Sequence, residues 1–446
     1  MENRAYPRVN ASFPIKIDSN ILGEVVDISQ TGLGLVFEKP LSLSKVTAEI
    51  ELSPKESIKT EFKVIWNKQL VQKGKFRYGA CFIRLKEKER DLLREIYIRK
   101  AIERVVGNIP VFETKQRVID FFVVYCKKFM SQLDSLACSI RDNNILLDHA
   151  CKKSENLNDD IVKKGHEIEN LLNSKPLAKK LKECFRTLLG PWGYKGKILK
   201  RAFEKPRGYP GDYLTIEFIY DNKAISEGIG YCSDTYFLNN KYAVAVRNRK
   251  DKMKDILNKH LISGQPGAIK ILNIACGSCR EIVDVLCTGS VPKKEMIFTL
   301  VDHDQEALDF SRNALASYES KDLKFNYLNH NVLDYIKNDQ EYKKILGNYS
   351  LIYSIGLADY IPDKILKRLI SFWFSILQPW GSLVLAHKDM TQYDPIPIDW
   401  WANWTFYPRN EKNILDIVHN SIAESFDLKI ERDKSNIILF FNITKK

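Results

Sequence analysis

Ile269-Lys270-Ile271-Leu272-Asn273-Ile274-Ala275-Cys276-Gly277-Ser278-Cys279-Arg280-Glu281 decides how the C-terminal half of the chain folds. Its first six residues form a short apolar run of the kind a buried strand has, and Ile282 to Leu286 resumes with helical spacing. Between them lies a loop of small and polar residues. Such a strand–loop–helix junction places backbone amides at the C-terminal edge of a sheet, where a Rossmann-like fold receives its nucleotide cofactor. Small side chains let the backbone approach that ligand closely.

Working outward, apolar strands are expected at Ile297–Val301, Lys324–Leu328, Ser350–Tyr353 and Ser382–Ala386, alternating with helical stretches. That alternation predicts a mostly parallel sheet. The chain closes on Leu428–Glu431 and Ile437–Ile443, joined by Arg-Asp-Lys-Ser, an expected antiparallel hairpin. Asp302 ends the second strand, where a carboxylate accepts hydrogen bonds from both ribose hydroxyls. His330 and Asn331 follow the third strand, and Ser354-Ile-Gly-Leu-Ala-Asp-Tyr360 follows the fourth.

These segments resemble class I S-adenosylmethionine (SAM)-dependent methyltransferases, whose seven-stranded sheet has an antiparallel last strand. By that resemblance Asn273, Ala275 and Gly277 face the methionine part of SAM, Asp302 the ribose, and Asn331 with Val332 the adenine, while Ser354 and Gly356 border the methyl-transfer site. Ala275 and Cys279 stand where the family usually has glycines, so only Gly277 of the glycine pattern is kept. The G-x-G-x-x-G loop of NAD binding is absent. Cys276 and Cys279 have C-x-x-C spacing, but no further ligands stand at zinc-site spacing, so no metal is expected. Cys276 reads as a small residue of the cofactor turn.

Upstream, Lys205-Pro-Arg-Gly-Tyr-Pro-Gly-Asp-Tyr213 is an ordered-loop composition suited to lining a site, or to anchoring tyrosines on the core. Arg247 and Arg249 are either solvated helix charges or a bidentate partner for the SAM carboxylate. Together with Ala275–Glu281 and Tyr353–Tyr360, these segments resemble bacterial synthases of 3-hydroxy fatty acid methyl esters, such as the 3-hydroxypalmitic acid methyl ester used as a quorum signal. That resemblance implies a small-molecule acid as methyl acceptor. A carboxylate is ionised at pH 7 and needs no general base, only alignment and exclusion of water. Tyr209, Tyr213 and Tyr360 are the candidates to hold it, with Asp212 and Asp359 orienting them; these five form the candidate catalytic set. A hydroxyl acceptor would need a base, for which Asp212, Asp359 or His387 are candidates. Trp400, Trp401, Trp404 and Phe406 either wall an acyl pocket or cap the core. The Asp/Asn-Pro-Pro-Tyr of adenine-N6 enzymes is missing after strand four, so nucleic acid is not the expected acceptor.

Residues 1–105 read as six short strands, at Phe13–Ile17, Gly23–Ile28, Gly34–Phe37, Thr47–Leu52, Thr60–Trp66 and Arg77–Ile83, followed by a charged helix from about Lys86 to Val105. Their period-two alternation suggests a small barrel. Arg4-Ala-Tyr-Pro-Arg8 and Asp27-Ile-Ser-Gln-Thr-Gly32 resemble the paired R-x-x-x-R and D-x-S-x-x-G signature of PilZ domains. The resemblance implies cyclic di-GMP as a regulatory ligand, gripped by Arg4 and Arg8 with Asp27, Ser29 and Gly32 completing the surface. Arginines stack on purines and pair phosphates bidentately, which suits that ligand.

The full expectation is a multidomain chain: a PilZ barrel over 1–105, a helical linker or lid region over 106–235, and a Rossmann-like methyltransferase over 236–446. Within the helical region, Pro191-Trp192-Gly193 is expected to interrupt the pattern. A net charge of +13, mostly dispersed lysine, reads as a solvated surface. Nine scattered cysteines and the lack of a signal sequence or an 18-residue apolar run point to the cytoplasm. The rival functional class is a cyclic di-GMP effector whose helical part docks a protein partner, with vestigial or protein-directed methylation.

Overall fold

The computed structural model describes residues 8–17, 21–29, 31–41, 44–53, 56–70, 74–263, 267–288 and 294–446. The chain divides into two compact units, Met1–Lys195 and Gly196–Lys446. The helical stretch expected as one region, 106–235, therefore contributes to both.

The first unit opens with strands β1 (Val9–Ile17), β2 (Ile21–Ile28), β3 (Gly32–Phe37), β4 (Lys45–Ser53), β5 (Glu56–Leu70) and β6 (Lys75–Arg84). Each contains one of the six expected segments. They close into a barrel of order β1-β2-β3-β6-β5-β4, every neighbouring pair antiparallel. Closure removes the unpaired edges that a six-stranded sheet would otherwise expose. Alternation along the strands turns Ile15, Ile17, Val25, Leu35, Phe37, Ile50, Ile58 and Phe62 inward, all essentially without solvent contact. The helix Glu87–Val106 follows, burying Leu93, Tyr97, Ile98 and Ile102 on one face. The remaining helices of this unit include Leu147–Leu172 and Lys175–Gly193. The latter runs through Pro191, which lies in its last turn, so the expected interruption falls at the helix end.

The second unit carries β7 (Ile269–Ile274), β8 (Met296–Asp302), β9 (Leu323–Asn329), β10 (Tyr349–Ser354), β11 (Leu377–Lys388), β12 (Phe426–Arg432) and β13 (Ile438–Lys445). Their order is β12-β13-β11-β10-β7-β8-β9. The five strands β7 to β11 pair in parallel, and β13 runs antiparallel to both β11 and β12, the arrangement expected of the methyltransferase fold. Strand β11 begins at Leu377, earlier than expected, with a register irregularity that leaves Trp380 exposed and at positive φ. Leu272, Ile274, Ile352, Leu383, Phe441 and Ile443 form the sheet's share of a core that Leu369, Trp373 and Val418 complete from the helices. Burying each such side chain stabilises the fold by about 1.5–3 kcal/mol. Strand order reverses between β7 and β10, so a crevice opens where their C-terminal ends diverge. Among the described residues no helix is long and apolar enough to cross a membrane.

Candidate functional site

A cleft of about 300 Å³ lies at that crevice, lined from the C-terminal ends of β7, β8 and β10 and from the segments preceding β7. This volume sits at the low end of the ~300–1,000 Å³ usual for ligand sites. Ala275, Cys276, Gly277 and Ser278 form its floor. Ala275, Gly277 and Cys279 all have left-handed backbone, with φ of 54°, 55° and 53°. The chain thus keeps the conformation of a glycine-rich loop while supplying glycine at one of the three positions.

Asp302 ties this loop to β8. Its Oδ2 accepts from the Gly277 amide at 2.9 Å and its Oδ1 from the Asp304 amide at 3.0 Å. Oδ1 also lies 3.3 Å from Nδ1 of His303, whose pKa this bond raises. Since each carboxylate oxygen has two acceptor sites, Oδ2 keeps one for a ligand hydroxyl.

Besides Asp302, two more buried charged side chains face the cleft. Glu281, on the first turn of the helix Arg280–Leu286, accepts from Asn273 Nδ2 at 3.0 Å and from the Tyr353 hydroxyl at 2.8 Å, both on Oε1. Burial pushes its pKa up, against the pull of those donors and of Arg249. Arg249, on the helix Lys241–Ile262, is buried beside Gly356, and its Nε has no hydrogen-bond partner. Arg247 points elsewhere: its Nη1 donates to the carbonyls of Leu238 at 3.0 Å and Ile219 at 3.4 Å, and it does not line the cleft.

Tyr209, Tyr213 and Tyr360 line the cleft, as do Gly356 and the tyrosines Tyr220 and Tyr242. Tyr209 packs against the His303 ring and Tyr213 against Phe310. Asp212 does not join them. It is fully buried, caps the helix Tyr213–Asp221 through the Thr215 amide at 2.8 Å, and pairs with Arg201 at 2.8 Å. Asp359 also lies outside the lining, bonded to the Lys388 amide at 3.0 Å and ion-paired to the Lys388 ammonium. That ammonium holds the Asp359 pKa far below the carboxylate range, over the opposing effect of burial. Both aspartates are thus engaged by residues outside the cleft lining.

His387 is no base for the cleft. Its Nε2 lies 3.1 Å from Nη1 of Arg409, which can only donate, so Nε2 accepts and the ring is assigned as neutral with its proton on Nδ1, toward the Lys388 carbonyl. Burial lowers its pKa in the same sense. Asn273 supports Glu281 from below, and Ser354 donates to the Ile274 carbonyl at 2.9 Å; neither lines the cleft. Asn331 caps the short helix Val332–Tyr335 outside the lining residues, and Val332 packs against the core. Trp400 and Trp401 are buried in the core, whereas Trp404 donates to the Tyr360 hydroxyl at 2.7 Å and Phe406 packs on Tyr360. None of these four walls the cleft.

Sequence reasoning missed Glu281, Tyr220 and Tyr242 as site residues. Glu281 was legible as a carboxylate just past the loop after β7. Tyr242 and Tyr220 carried no motif.

In the barrel, Asp27 and Ser29 are buried at the end of β2. Arg8 pairs with Asp27 Oδ1, and Arg77 of β6 with Oδ2 at 2.8 Å. Arg77 is a partner that the signature does not contain. Ser29 accepts the Gly32 amide on its hydroxyl at 3.2 Å, fixing the turn into β3. A side chain at Gly32 would strike the Ala80 carbonyl, and one at Gly34 the Asp27 carboxylate, at 2.2 and 2.1 Å. Arg4 lies outside the described residues.

Among solved structures the chain is similar to a possible exported protein from Bordetella parapertussis, at 17% identity and TM-score 0.42, covering 65% of this chain and 95% of that one. It is also similar to magnesium protoporphyrin IX methyltransferase from Synechocystis PCC 6803, at 10% identity and TM-score 0.33, covering 46% and 83%. A third similarity, to the inhibitor of motility from Bacillus subtilis, has 21% identity and TM-score 0.22, covering 23% and 53%. No curated protein matches the sequence. Residues 2–99 match the family model of the PilZ domain, so the barrel that opens this chain is a PilZ domain.

Proposed function

We infer that the C-terminal unit is a SAM-dependent methyltransferase acting on the carboxylate of a small acid, a 3-hydroxy fatty acid being the candidate, and that the PilZ barrel binds cyclic di-GMP to regulate it. The observation that carries the first half is the charge pattern of the cleft: a buried guanidinium with an unpartnered Nε, Arg249, and two carboxylates, Glu281 and Asp302. SAM presents a carboxylate, an ammonium and a ribose diol beside its sulfonium, and these three residues complement the first three. Arg249 would hold the carboxylate, Glu281 the ammonium, and Oδ2 of Asp302 a ribose hydroxyl. The backbone of Ala275 to Gly277 would pack beneath them.

When bound, SAM supplies an electrophilic methyl group. The chain's own part is positioning. Tyr209, Tyr213 and Tyr360 line the cleft, where they would hold an acceptor and keep water from it. No general base stands among the lining residues with a role to play on an acceptor that arrives ionised. Asp212 and Asp359, occupied by Arg201 and Lys388, hold the tyrosine-bearing segments in place. In the barrel, Asp27 orients Arg8 and Arg77 toward a common side, which supports a phosphate-binding role for both.

The test is isothermal titration with SAM, repeated at saturating cyclic di-GMP, followed by transfer of labelled methyl to 3-hydroxy acids of increasing chain length. Heat from both ligands and label in an ester support the sensor-enzyme. Heat from cyclic di-GMP alone sinks the enzyme reading and leaves a PilZ docking protein. A SAM affinity unchanged by cyclic di-GMP removes the regulatory link in binding, since coupling requires a differential free energy.

A further inference from the structure

Trp404 is fully buried and does not line the cleft, yet it stands directly behind three residues that do. A Cβ added to Gly211 would lie 2.7 Å from Cζ2 of the indole and 3.3 Å from its Cη2. The indole meets the Tyr242 ring edge to face, with 4.7 Å between centroids. Its Nε1 donates to the Tyr360 hydroxyl at 2.7 Å. Gly211, Tyr242 and Tyr360 come from three separate segments of the second unit, so a single side chain backs all three.

The indole is held in place along its own segment. Asn403, at φ 50°, turns the chain out of the helix Ile396–Ala402, and its carbonyl accepts from the Lys205 ammonium at 2.8 Å. The Trp404 amide donates to the Ile398 carbonyl at 3.3 Å, and the Tyr407 amide to the Asp359 carbonyl at 2.9 Å. Phe406 packs on Tyr242 and Tyr360, with centroids 5.5 and 5.4 Å away. Any side chain at Gly211 would collide with this ring, and a glycine leaves only backbone between cleft and indole. The cleft itself, about 300 Å³, is small for a cofactor and an acceptor together, since ~300–1,000 Å³ commonly serves one ligand.

We propose that Trp404 sets the length of the methyl acceptor: its indole fills the space behind Gly211, Tyr242 and Tyr360 and closes the cleft to an extended acyl chain. The acceptor is then a short-chain 3-hydroxy acid and not a long-chain one. The identity of the ligand rests on the methyltransferase reading, whereas the plug rests on packing alone. Each methylene that moves from water into an apolar wall gains about fourfold in affinity. One that meets the indole, or is turned out to solvent, gains nothing. A purely structural Trp404 would affect acids of every length alike, so the dependence on length is the property to measure.

3-Hydroxybutanoate, 3-hydroxyhexanoate, 3-hydroxyoctanoate and 3-hydroxydecanoate are titrated calorimetrically into the full chain, with and without S-adenosylhomocysteine. In the unaltered chain affinity is expected to level off by 3-hydroxyoctanoate. In Trp404→Ala it should go on rising to 3-hydroxydecanoate, about sixteenfold for each two-carbon step. Trp404→Leu opens less space at a smaller loss of packing and should move the limit in the same direction. Trp404→Phe keeps most of the ring volume without the indole N–H and should retain the parent's limit. Affinity that climbs through 3-hydroxydecanoate in the unaltered chain overturns the proposal with no variant needed. So does a limit that stays in place in Trp404→Ala and Trp404→Leu, or the failure of every acid to bind. If S-adenosylhomocysteine binds but the limit ignores Trp404, the methyltransferase reading survives and the plug falls. If S-adenosylhomocysteine does not bind but the limit moves with Trp404, the plug stands and the methyltransferase reading falls.

Discussion

Arg207 closes on Asp304 through two hydrogen bonds, Nε to Oδ2 at 2.9 Å and Nη2 to Oδ1 at 2.6 Å, and reaches Glu306 with Nη1 at 2.7 Å. This fork pins the segment carrying Tyr209 and Tyr213 to the N-terminus of the helix Gln305–Leu315, two residues beyond Asp302. The bonds are partly exposed and so screened by salt. Arg207→Ala is expected to weaken S-adenosylhomocysteine about two- to fivefold at low salt, within the range of exposed pairs. Added salt should narrow the gap between variant and parent. Titration at two ionic strengths checks this; a gap that does not change with salt rejects an electrostatic strap.

Ala275 adopts φ 54°, where an L-residue is strained. Ala275→Gly is expected to stabilise the second unit by about 0.5–1 kcal/mol, because relief of strain exceeds the added chain entropy. Gly277→Ala, at φ 55° with open space around its Cβ, should destabilise by a similar amount through backbone strain alone. Urea unfolding of both variants gives the sign directly, and a destabilised Ala275→Gly would contradict the backbone assignment.

Asp359 and Lys388 are both buried and paired, the ammonium pushed down to about 8 by burial and the carboxyl held far below its usual range. A carboxylate with a depressed folded pKa contributes stability above its unfolded value near 4, and that stability is lost as pH falls through the folded pKa. For the lysine, the depressed pKa means stability rises with pH between about 8 and its unfolded value near 10.4. Lys388→Met leaves Asp359 uncompensated and should cost about 3–5 kcal/mol at pH 7. Its penalty should shrink below pH 4, where Asp359 can take up a proton. Chemical denaturation at pH 7 and pH 3.5 tests this; an equal penalty at both would mean that the pair carries no linkage.

Glu281 has a pKa raised by burial, so its ionised form costs folding stability as pH climbs past the ordinary carboxyl value. A ligand ammonium beside it reverses that preference. S-adenosylhomocysteine should therefore bind more tightly as pH rises through the titration of Glu281. Glu281→Gln should weaken binding about ten- to a hundredfold and flatten the pH dependence. A variant that binds like the parent across pH 5 to 8 removes the ammonium from Glu281.

Arg8 and Arg77 share the carboxylate of Asp27. Arg8→Ala and Arg77→Ala are each expected to weaken cyclic di-GMP by at least tenfold, with a shallower salt dependence, since each removes a cation that can pair with phosphate. Asp27→Asn should weaken it less, because both arginines survive and lose only their orientation. Fluorescence titration at two salt concentrations separates these outcomes, and full binding by Arg77→Ala would confine the ligand to the N-terminal arginines.

What the sequence determined by itself was local. Each strand of the barrel and of the sheet was legible because alternation and short apolar runs reflect one segment's own burial. The loop after β7 was legible for the same reason, since a strand, a tight turn and a helix are contiguous in the chain. The tertiary structure decided what depended on direction and on distant partners. Arg247 and Arg249 are two residues apart on one helix, hence about 200° apart around its axis, so only one can face the cleft, and sequence gives no way to choose. Asp212 and Asp359 were expected to orient the site tyrosines, being acidic residues beside them in sequence. They are occupied by Arg201 and Lys388, and for Asp359 the partner lies 29 residues away in sequence. Tyr242 belongs to no motif and reaches the site because its helix packs where Trp404 and Tyr360 also converge. Propensity and motif are properties of neighbours along the chain, whereas a site's hydrogen-bond count is a property of neighbours in space.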